Sequence, residues 1–260
     1  MDAAITLAKQ TQRPLKIIWE LNNGLNCPFD QLFEPFPNCT VINIRKDIRY
    51  NTAHYSAYGF FRSRLHRLLN ALMFSKTYFE NPAGYRVPEA HRLINEIKDK
   101  SKIYISASES FFENTGQYHS FKPVPEIKKQ IDEAARSFNP PVIGLHLRRT
   151  DHVHAISESP DELFLKIIQQ ELQQNAAALF FLATDAPGTE QFFKQQFGKA
   201  IIIRNKTFGR NSSQGIKDAV ADLYLLARTH SLYASYQSSF SETAAAIGNI
   251  PLKVVRRGAQ

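Results

Sequence analysis

The sequence predicts an α/β protein built of two Rossmann-like lobes, the later of which is a parallel sheet flanked by helices. Apolar runs of strand length alternate with helical patterns throughout residues 142–255, which is the order of a parallel sheet with helical crossovers. The first of these runs, 142–147, is largely apolar, as a strand buried on both faces must be. A strand, a glycine turn and a helix start at residues 15–33 form a similar unit in the amino half.

Two prolines within three residues, Pro123 and Pro125, mark the boundary between the lobes. Proline fixes its own φ and restricts the residue before it, so regular structure is interrupted there. We therefore expect an amino-terminal lobe over residues 1–124 and a second lobe over residues 125–260.

The amino-terminal lobe is predicted to contain three strands, two long helices and a helix that begins at Pro28. The strands are 15–19, 40–44 and 103–106, and the long helices are 58–74 and 89–98. Between the first two strands, a turn at Gly24 leads to a helix that Pro28 begins in its first turn. Backbone amides in such a turn can approach an anion, so Gly24 and Asn26 are candidate ligands.

In the carboxyl lobe, a capping box predicts where the helix after the first strand begins. Ser159 and Glu162 stand three residues apart, with Pro160 at the first helical position. The other predicted strands are 179–183, 201–203, 231–235 and 252–255, and the predicted helices are 126–138, 160–172, 189–197, 216–229 and 241–247.

Composition argues against a disordered or a membrane-spanning chain. Of the 260 residues 43% are hydrophobic, and no apolar run approaches the length of a membrane span. Residues 1–12 lack the apolar run of a signal peptide, and the two cysteines, Cys27 and Cys39, form no metal-type pair. We therefore expect a cytoplasmic protein with reduced thiols and no metal site.

The chain is basic, with a net charge of +8 at pH 7. Such a charge suits nucleic acid, an anionic membrane surface or an anionic small substrate. The densest basic segment is the helix at 58–74, whose apolar residues fall on one stripe: Phe61, Leu65, Leu68, Leu69 and Leu72. We expect this stripe to pack inside the protein while the arginines face solvent. The alternative is a basic surface that faces an acceptor or the inner side of a membrane.

Polar residues follow the strands of the carboxyl lobe at the point where each strand ends. The first strand runs into Arg148 and Arg149, the second is followed by Asp185, and hydroxyls that include Ser238 and Ser239 follow the fourth. Strand ends converge on one edge of a parallel sheet, and arginine clamps phosphate bidentately. Since the sequence contains no glycine-rich phosphate loop, we expect side chains to hold a nucleotide diphosphate at this edge.

Three motifs resemble those of GDP-fucose fucosyltransferases, most closely the α1,6-fucosyltransferase and nodulation-protein-Z group. The motifs are His146-Leu147-Arg148-Arg149-Thr150-Asp151, Leu182-Ala183-Thr184-Asp185, and Asp222-Leu223-Tyr224-Leu225-Leu226-Ala227 followed by Ser238-Ser239-Phe240-Ser241. The resemblance implies a GT-B-like fold and an inverting, metal-independent transfer of fucose from GDP-fucose to a hydroxyl of a glycan acceptor. It also implies that the amino-terminal lobe lies on the acceptor side and that no cofactor is needed besides the donor substrate.

The resemblance also implies a role for each matching residue. Arg148 would bind the β-phosphate and stabilise the departing GDP, with Arg149 in support. The other implied donor-binding residues are His146 and Asp222, which would contact the guanosine, Asp185, which would hold the polar network of the site, and Ser238 and Ser239, which would donate to phosphate. Gly24 and Asn26 correspond to a glycine turn near the amino terminus of the family's sequences.

The general base is the point where the chain departs from the family. The α1,6 enzymes carry a glutamate a few residues past the first motif, where this chain has alanine and isoleucine at 155–156. Asp151 is the preferred substitute, Glu158 is the next, and His152 and His154 are nearby alternatives. Two other functions stay open: a relative that binds a nucleotide without turnover, and a nucleic-acid-binding protein, which charge alone suggests.

Overall fold

The chain divides into two compact units in a computed structural model that describes residues 1–45, 50, 60–80, 86–107, 110–112, 117–139, 141–150 and 153–258. The earlier unit comprises residues 1–22 and 35–121, and the later unit comprises residues 23–34 and 122–260. Residues 23–34 therefore pack with the later unit, although they precede the proline boundary. The division of function between two lobes stays a prediction.

The earlier unit contains two separate pairs of parallel strands. Strand β1 (Leu15–Glu20) pairs with β2 (Cys39–Ile44), and β3 (Lys76–Phe79) pairs with β4 (Ile103–Ser106). The helices are α1 (Asp2–Gln10), α2 (Phe60–Met73) and α3 (Ala90–Ile97). The predicted strands and helices are present, and α1 and β3 are additional. The helix predicted after Pro28 is only a short 3-10 turn, Phe29–Gln31.

The prediction for the face of α2 was wrong for three of the five residues of the predicted stripe. Leu69 is half-buried, and the side chains of Phe61 and of the arginines lie outside the described residues. Leu65, Leu68 and Leu72, which were expected to pack inside, are exposed, while Asn70 on the opposite side of the helix is buried. Helical periodicity locates a stripe of leucines, but it does not say which side of the helix meets the rest of the protein.

The later unit is a five-stranded parallel sheet flanked by helices, which confirms the predicted fold class. The strands are β5 (Val142–Leu147), β6 (Leu179–Thr184), β7 (Ile201–Ile202), β8 (Ser231–Ser235) and β9 (Leu252–Val255). The helices are α4 (Pro125–Ala135), α5 (Val153–Glu158), α6 (Asp161–Gln174), α7 (Pro187–Phe197), α8 (Ser213–Leu226) and α9 (Ser239–Gly248). The strand order is β7-β6-β5-β8-β9.

The central strand β5 lies in close contact with α8 and β8. Leu145 and Leu147 are fully buried on β5. A Cβ atom on Gly144 would lie only 2.8 Å from the side-chain oxygen of Thr229 and 3.0 Å from Leu232. Glycine is therefore the residue that lets these elements approach, and their approach places the carboxyl ends of β5 and β8 side by side.

The predicted capping box at the start of α6 was wrong. The helix begins after Pro160 with no side-chain cap. The Ser159 hydroxyl instead donates to the carbonyl of Val255 and accepts the N–H of Tyr236. Ser159 thus ties the ends of β8 and β9 to the start of α6, a long-range role that a local motif cannot reveal.

Candidate functional site

The crevice between the carboxyl ends of β5 and β8 is the topological switch point of the sheet. From β5 the chain proceeds to β6 and β7 on one side, and then returns to place β8 and β9 on the other. The backbone N–H of Arg148 donates to the Ser235 hydroxyl over 3.1 Å and so joins the two strand ends. Ligands of open α/β sheets bind at such a point.

Helix α9 begins at this crevice with two of the predicted serines. Ser238 is the N-cap residue, is buried, and makes no capping hydrogen bond with its side chain. Ser239 is the first helical residue and is exposed. The free N–H groups and the dipole at a helix start favour an anion. The arginine after β5 and the start of α9 therefore face the same strand ends.

His146 lies behind the start of α9 and is almost fully buried. Its Nδ1 atom is 2.6 Å from the Ser241 hydroxyl and 3.3 Å from the Ser238 hydroxyl, and its ring stacks on Phe240. Burial lowers the pKa of His146 to about 3, so the ring is neutral near pH 7. Its contacts hold α9 against β5; a direct contact with a nucleoside stays a prediction.

Acidification is expected to destabilise the protein through His146. Because burial depresses the folded pKa to about 3, the unfolded chain binds the proton more readily than the folded chain at every pH between that value and about 6.5. The free energy of unfolding should therefore fall by about 1.4 kcal/mol for each pH unit below about 6.5 through this residue. Urea unfolding of the wild type and of His146→Gln at several pH values measures this slope. An equal dependence of the free energy of unfolding on pH in the two proteins would contradict the prediction.

Arg149 is bound by the protein itself. Its guanidinium lies 2.7–2.8 Å from Asp161 and donates to the carbonyls of Ser159 and Arg148, and its side chain is 9% exposed. Arg148 is half-buried at the crevice. Arg149 therefore stabilises the turn, and a contact between Arg148 and a ligand stays a prediction.

Asp185 holds the same turn from the end of β6. One carboxylate oxygen accepts the N–H of Arg149 over 2.7 Å, and the other accepts the hydroxyl of Thr150 over 2.6 Å. These hydrogen bonds to Asp185, together with the buried Arg149 side chain, fix the backbone of the turn that carries Arg148.

Asp222 belongs to a buried cluster of ionisable side chains. Arg204 contacts Asp222 at 3.1 Å and Asp218 at 2.7 Å, and Lys206 contacts Asp222 and Glu190 at 2.6 Å. All five side chains are at most 12% exposed. Burial raises the pKa of Glu190. Both oxygens of Asp222 thus have partners within the chain, and a contact with guanosine stays a prediction.

The predicted site residues that remain are those of the glycine turn and the candidate general bases. Gly24 is exposed, and Asn26 is bonded to the loop before α8 through the carbonyls of Arg210 and Asn211. Asp151 and His152 lie outside the described residues. Among the other proposed bases, His154 is exposed on α5 and Glu158 ends that helix.

Tyr236 and Arg256 form a contact at the strand ends that the sequence did not single out. The Arg256 guanidinium lies 5.8 Å from the centre of the Tyr236 ring, and the His154 ring meets the same tyrosine at 5.6 Å. The sequence does contain an indication of this contact, because Arg256 follows the last strand of the sheet just as Arg148 follows β5. This places another cation at the carboxyl edge of the sheet.

In the part of the chain that the structure describes, no three His, Cys, Asp or Glu side chains are grouped so that they could hold a metal ion. The helices of that part are also too short or too polar to cross a bilayer.

Comparison with known proteins identifies the fold. No family model matches the sequence. The structure of NodZ α-1,6-fucosyltransferase soaked with GDP-fucose, a protein solved from Bradyrhizobium, matches with a TM-score of 0.58 and 19% identity over 95% of this chain and 86% of that one. POFUT1 with GDP-fucose matches with a TM-score of 0.58 and 11% identity over 98% and 93% of the two chains. A variant of Arabidopsis thaliana FUT1 with GDP matches with a TM-score of 0.59 and 15% identity over 99% and 67%.

These matches confirm, at the level of the fold, the resemblance drawn from the three motifs. The chain has the architecture of GDP-fucose fucosyltransferases over nearly its whole length. At identities below 20% the fold is what the similarity establishes, because one fold serves many reactions.

Proposed function

We propose that this protein is a glycosyltransferase that moves fucose from GDP-fucose to a hydroxyl of a glycan acceptor. The observation that carries the proposal is the position of Arg148, which leaves the central strand at the switch point beside the start of α9. The similar structures contain GDP-fucose or GDP, which supports a guanosine nucleotide as the donor.

Arg148 and the start of α9 supply the electrostatic part of the mechanism. As the bond between the fucose anomeric carbon and the β-phosphate oxygen breaks, its electron pair passes to the diphosphate and the sugar becomes oxocarbenium-like. A fixed guanidinium and backbone N–H groups aimed at that oxygen stabilise the developing charge. The acceptor oxygen attacks from the opposite face and inverts the configuration. In this proposal the guanidinium takes the place of a metal ion.

The neighbouring residues keep these groups in place. Arg149 and Asp185 fix the turn that carries Arg148, and His146 holds the start of α9, where Ser238 and Ser239 would donate to phosphate. The guanosine would lie toward Asp222, whose ion cluster shapes the segment after β7, and the turn at Gly24 and Asn26 would close on the donor.

Asp151 is proposed as the general base that takes the proton from the acceptor hydroxyl. It directly follows the turn fixed by Asp185, and Glu158 on α5 is the alternative, with His152 and His154 after it. At 155–156, where the family's α1,6 enzymes carry their glutamate, Ala155 is fully buried. This buried alanine favours the second candidate function, a protein that binds the nucleotide without turnover.

Thermal melts with nucleotides and a GDP-release assay test the proposal. GDP should raise the melting temperature while UDP and ADP do not, and GDP should be released from GDP-fucose in the presence of an acceptor glycan. Asp151→Asn should retain the GDP effect and lose turnover. A GDP effect without turnover in the wild type supports the second candidate. Tight, salt-dependent binding of RNA or DNA with no GDP effect refutes both.

A further inference from the structure

The outer side of α2 presents a stripe of leucines to solvent. We call Leu65, Leu68 and Leu72 the leucine stripe; their exposed fractions are 48%, 58% and 77%. Their spacing of three and four residues places them on one face of the helix. Single exposed leucines are common, but three in a row on one helix face form an apolar surface that water solvates poorly.

The surroundings of the leucine stripe are basic. By sequence α2 carries three arginines, one histidine and no acidic residue. At the carboxyl end of the helix, Ser75 donates its N–H to the carbonyl of Lys102 over 2.8 Å, and the side chains of Lys76, Lys100 and Lys102 are exposed there. The sequence of α2 and the exposed lysines at its carboxyl end therefore combine apolar and cationic groups in this part of the earlier unit.

We propose that the leucine stripe binds the surface of a membrane rich in anionic phospholipids, with α2 lying in the plane of the interface. Leucines of such a helix enter the boundary between headgroups and acyl chains, while basic residues contact the headgroup phosphates. The positive charge of the chain argues against a second copy of it as the partner that covers the leucine stripe. Two copies of a helix without acids, on a protein of net charge +8, repel each other.

This inference does not depend on the proposed transfer reaction. It adds a location: a transferase held at a membrane would act on acceptors that are themselves attached to lipid or lie next to it. Because the leucine stripe belongs to the earlier unit and the arginine turn to the later one, loss of either activity can be measured without loss of the other.

Sedimentation of the full-length protein with vesicles tests the proposal. The wild type should sediment with vesicles of mixed phosphatidylglycerol and phosphatidylcholine, should sediment less as salt is raised, and should stay in solution with phosphatidylcholine alone. The double variant Leu68→Gln/Leu72→Gln should bind the anionic vesicles at least about tenfold more weakly. GDP-induced stabilisation should be unchanged in that variant.

A matched control is Val254→Gln, which removes a side chain of similar exposure, 45%, from the later unit. This variant should bind vesicles like the wild type. The proposal is overturned if the wild type does not sediment with anionic vesicles, or if the wild type and the double leucine variant sediment equally. It is also overturned if the wild type binds no vesicles but forms a concentration-dependent dimer that the double leucine variant does not form.

Discussion

Replacement of Arg148 by alanine is expected to lower the rate of GDP release from GDP-fucose by a factor of about 100 to 1000. The guanidinium at the switch point would stabilise charge that appears only as the anomeric bond breaks, so its removal should reduce turnover more than GDP affinity. Steady-state kinetics with an acceptor glycan, combined with GDP titration, separate these two quantities.

Two further variants sharpen the test of Arg148. Arg148→Lys keeps the charge but loses the planar fork of donors, so it should recover only part of the rate. Arg136→Ala removes an exposed arginine at the end of α4 in the same unit and should leave turnover unchanged. Full turnover in Arg148→Ala, with the protein folded, would eliminate the mechanism proposed for this site.

The sheet of the later unit could be predicted well because its strands are short apolar runs with clear ends. Its strands agree with the prediction to within one residue: β6 extends to Thr184, one residue beyond the predicted end, and β7 stops at Ile202, one residue before it. Helix α8 starts three residues before the predicted Ile216, because Ser212 accepts the N–H of Gly215 and caps the helix earlier. Local patterns thus located the elements, and local capping shifted their ends.

The helices that were not predicted, or whose buried side was predicted wrongly, have weak or ambiguous patterns of apolar residues. Helix α1 buries small and polar residues, including Ala3 and Thr6, beside Ile5 and Leu7, so its stripe is not conspicuously apolar. Helix α5 has only six residues and lies in a stretch for which no element was predicted. For α2 the periodicity was correct, yet three of its leucines face solvent, since only tertiary packing selects the buried side of a helix.

At the candidate site, residue types could be predicted but their partners could not. The sequence places Arg148 and Arg149 together after one strand, and nothing local indicates that Asp161 and the carbonyl of Ser159 are the partners of the second arginine. In the same way, the sequence singles out Asp222 but does not indicate its partners. That its partners are Arg204 and Lys206 depends on the packing of α8 against the segment after β7.

Replacement of Arg204 by alanine is expected to lower the free energy of unfolding by about 3–5 kcal/mol. Arg204 contacts both Asp218 and Asp222, whose side chains are 5% and 7% exposed. Without the guanidinium, the buried Asp218 loses its ion pair and keeps hydrogen bonds from the Thr207 N–H and the Gln214 amide. Asp222 keeps Lys206, which also contacts Glu190. Desolvated charges that lose a partner destabilise the fold far more than the pair itself stabilises it. Urea unfolding of the two proteins measures the difference.

Arg228→Ala is the matched control for this buried cluster. Arg228 forms an ion pair with Asp132 at 2.6 Å, but the two side chains are 41% and 39% exposed, so its removal should cost only about 0–1 kcal/mol. If Arg204→Ala were no more destabilising than Arg228→Ala, the cluster would not be the structural support inferred here. Asp222 would then be available to a nucleotide, and Asp222→Asn should weaken GDP binding without a loss of stability.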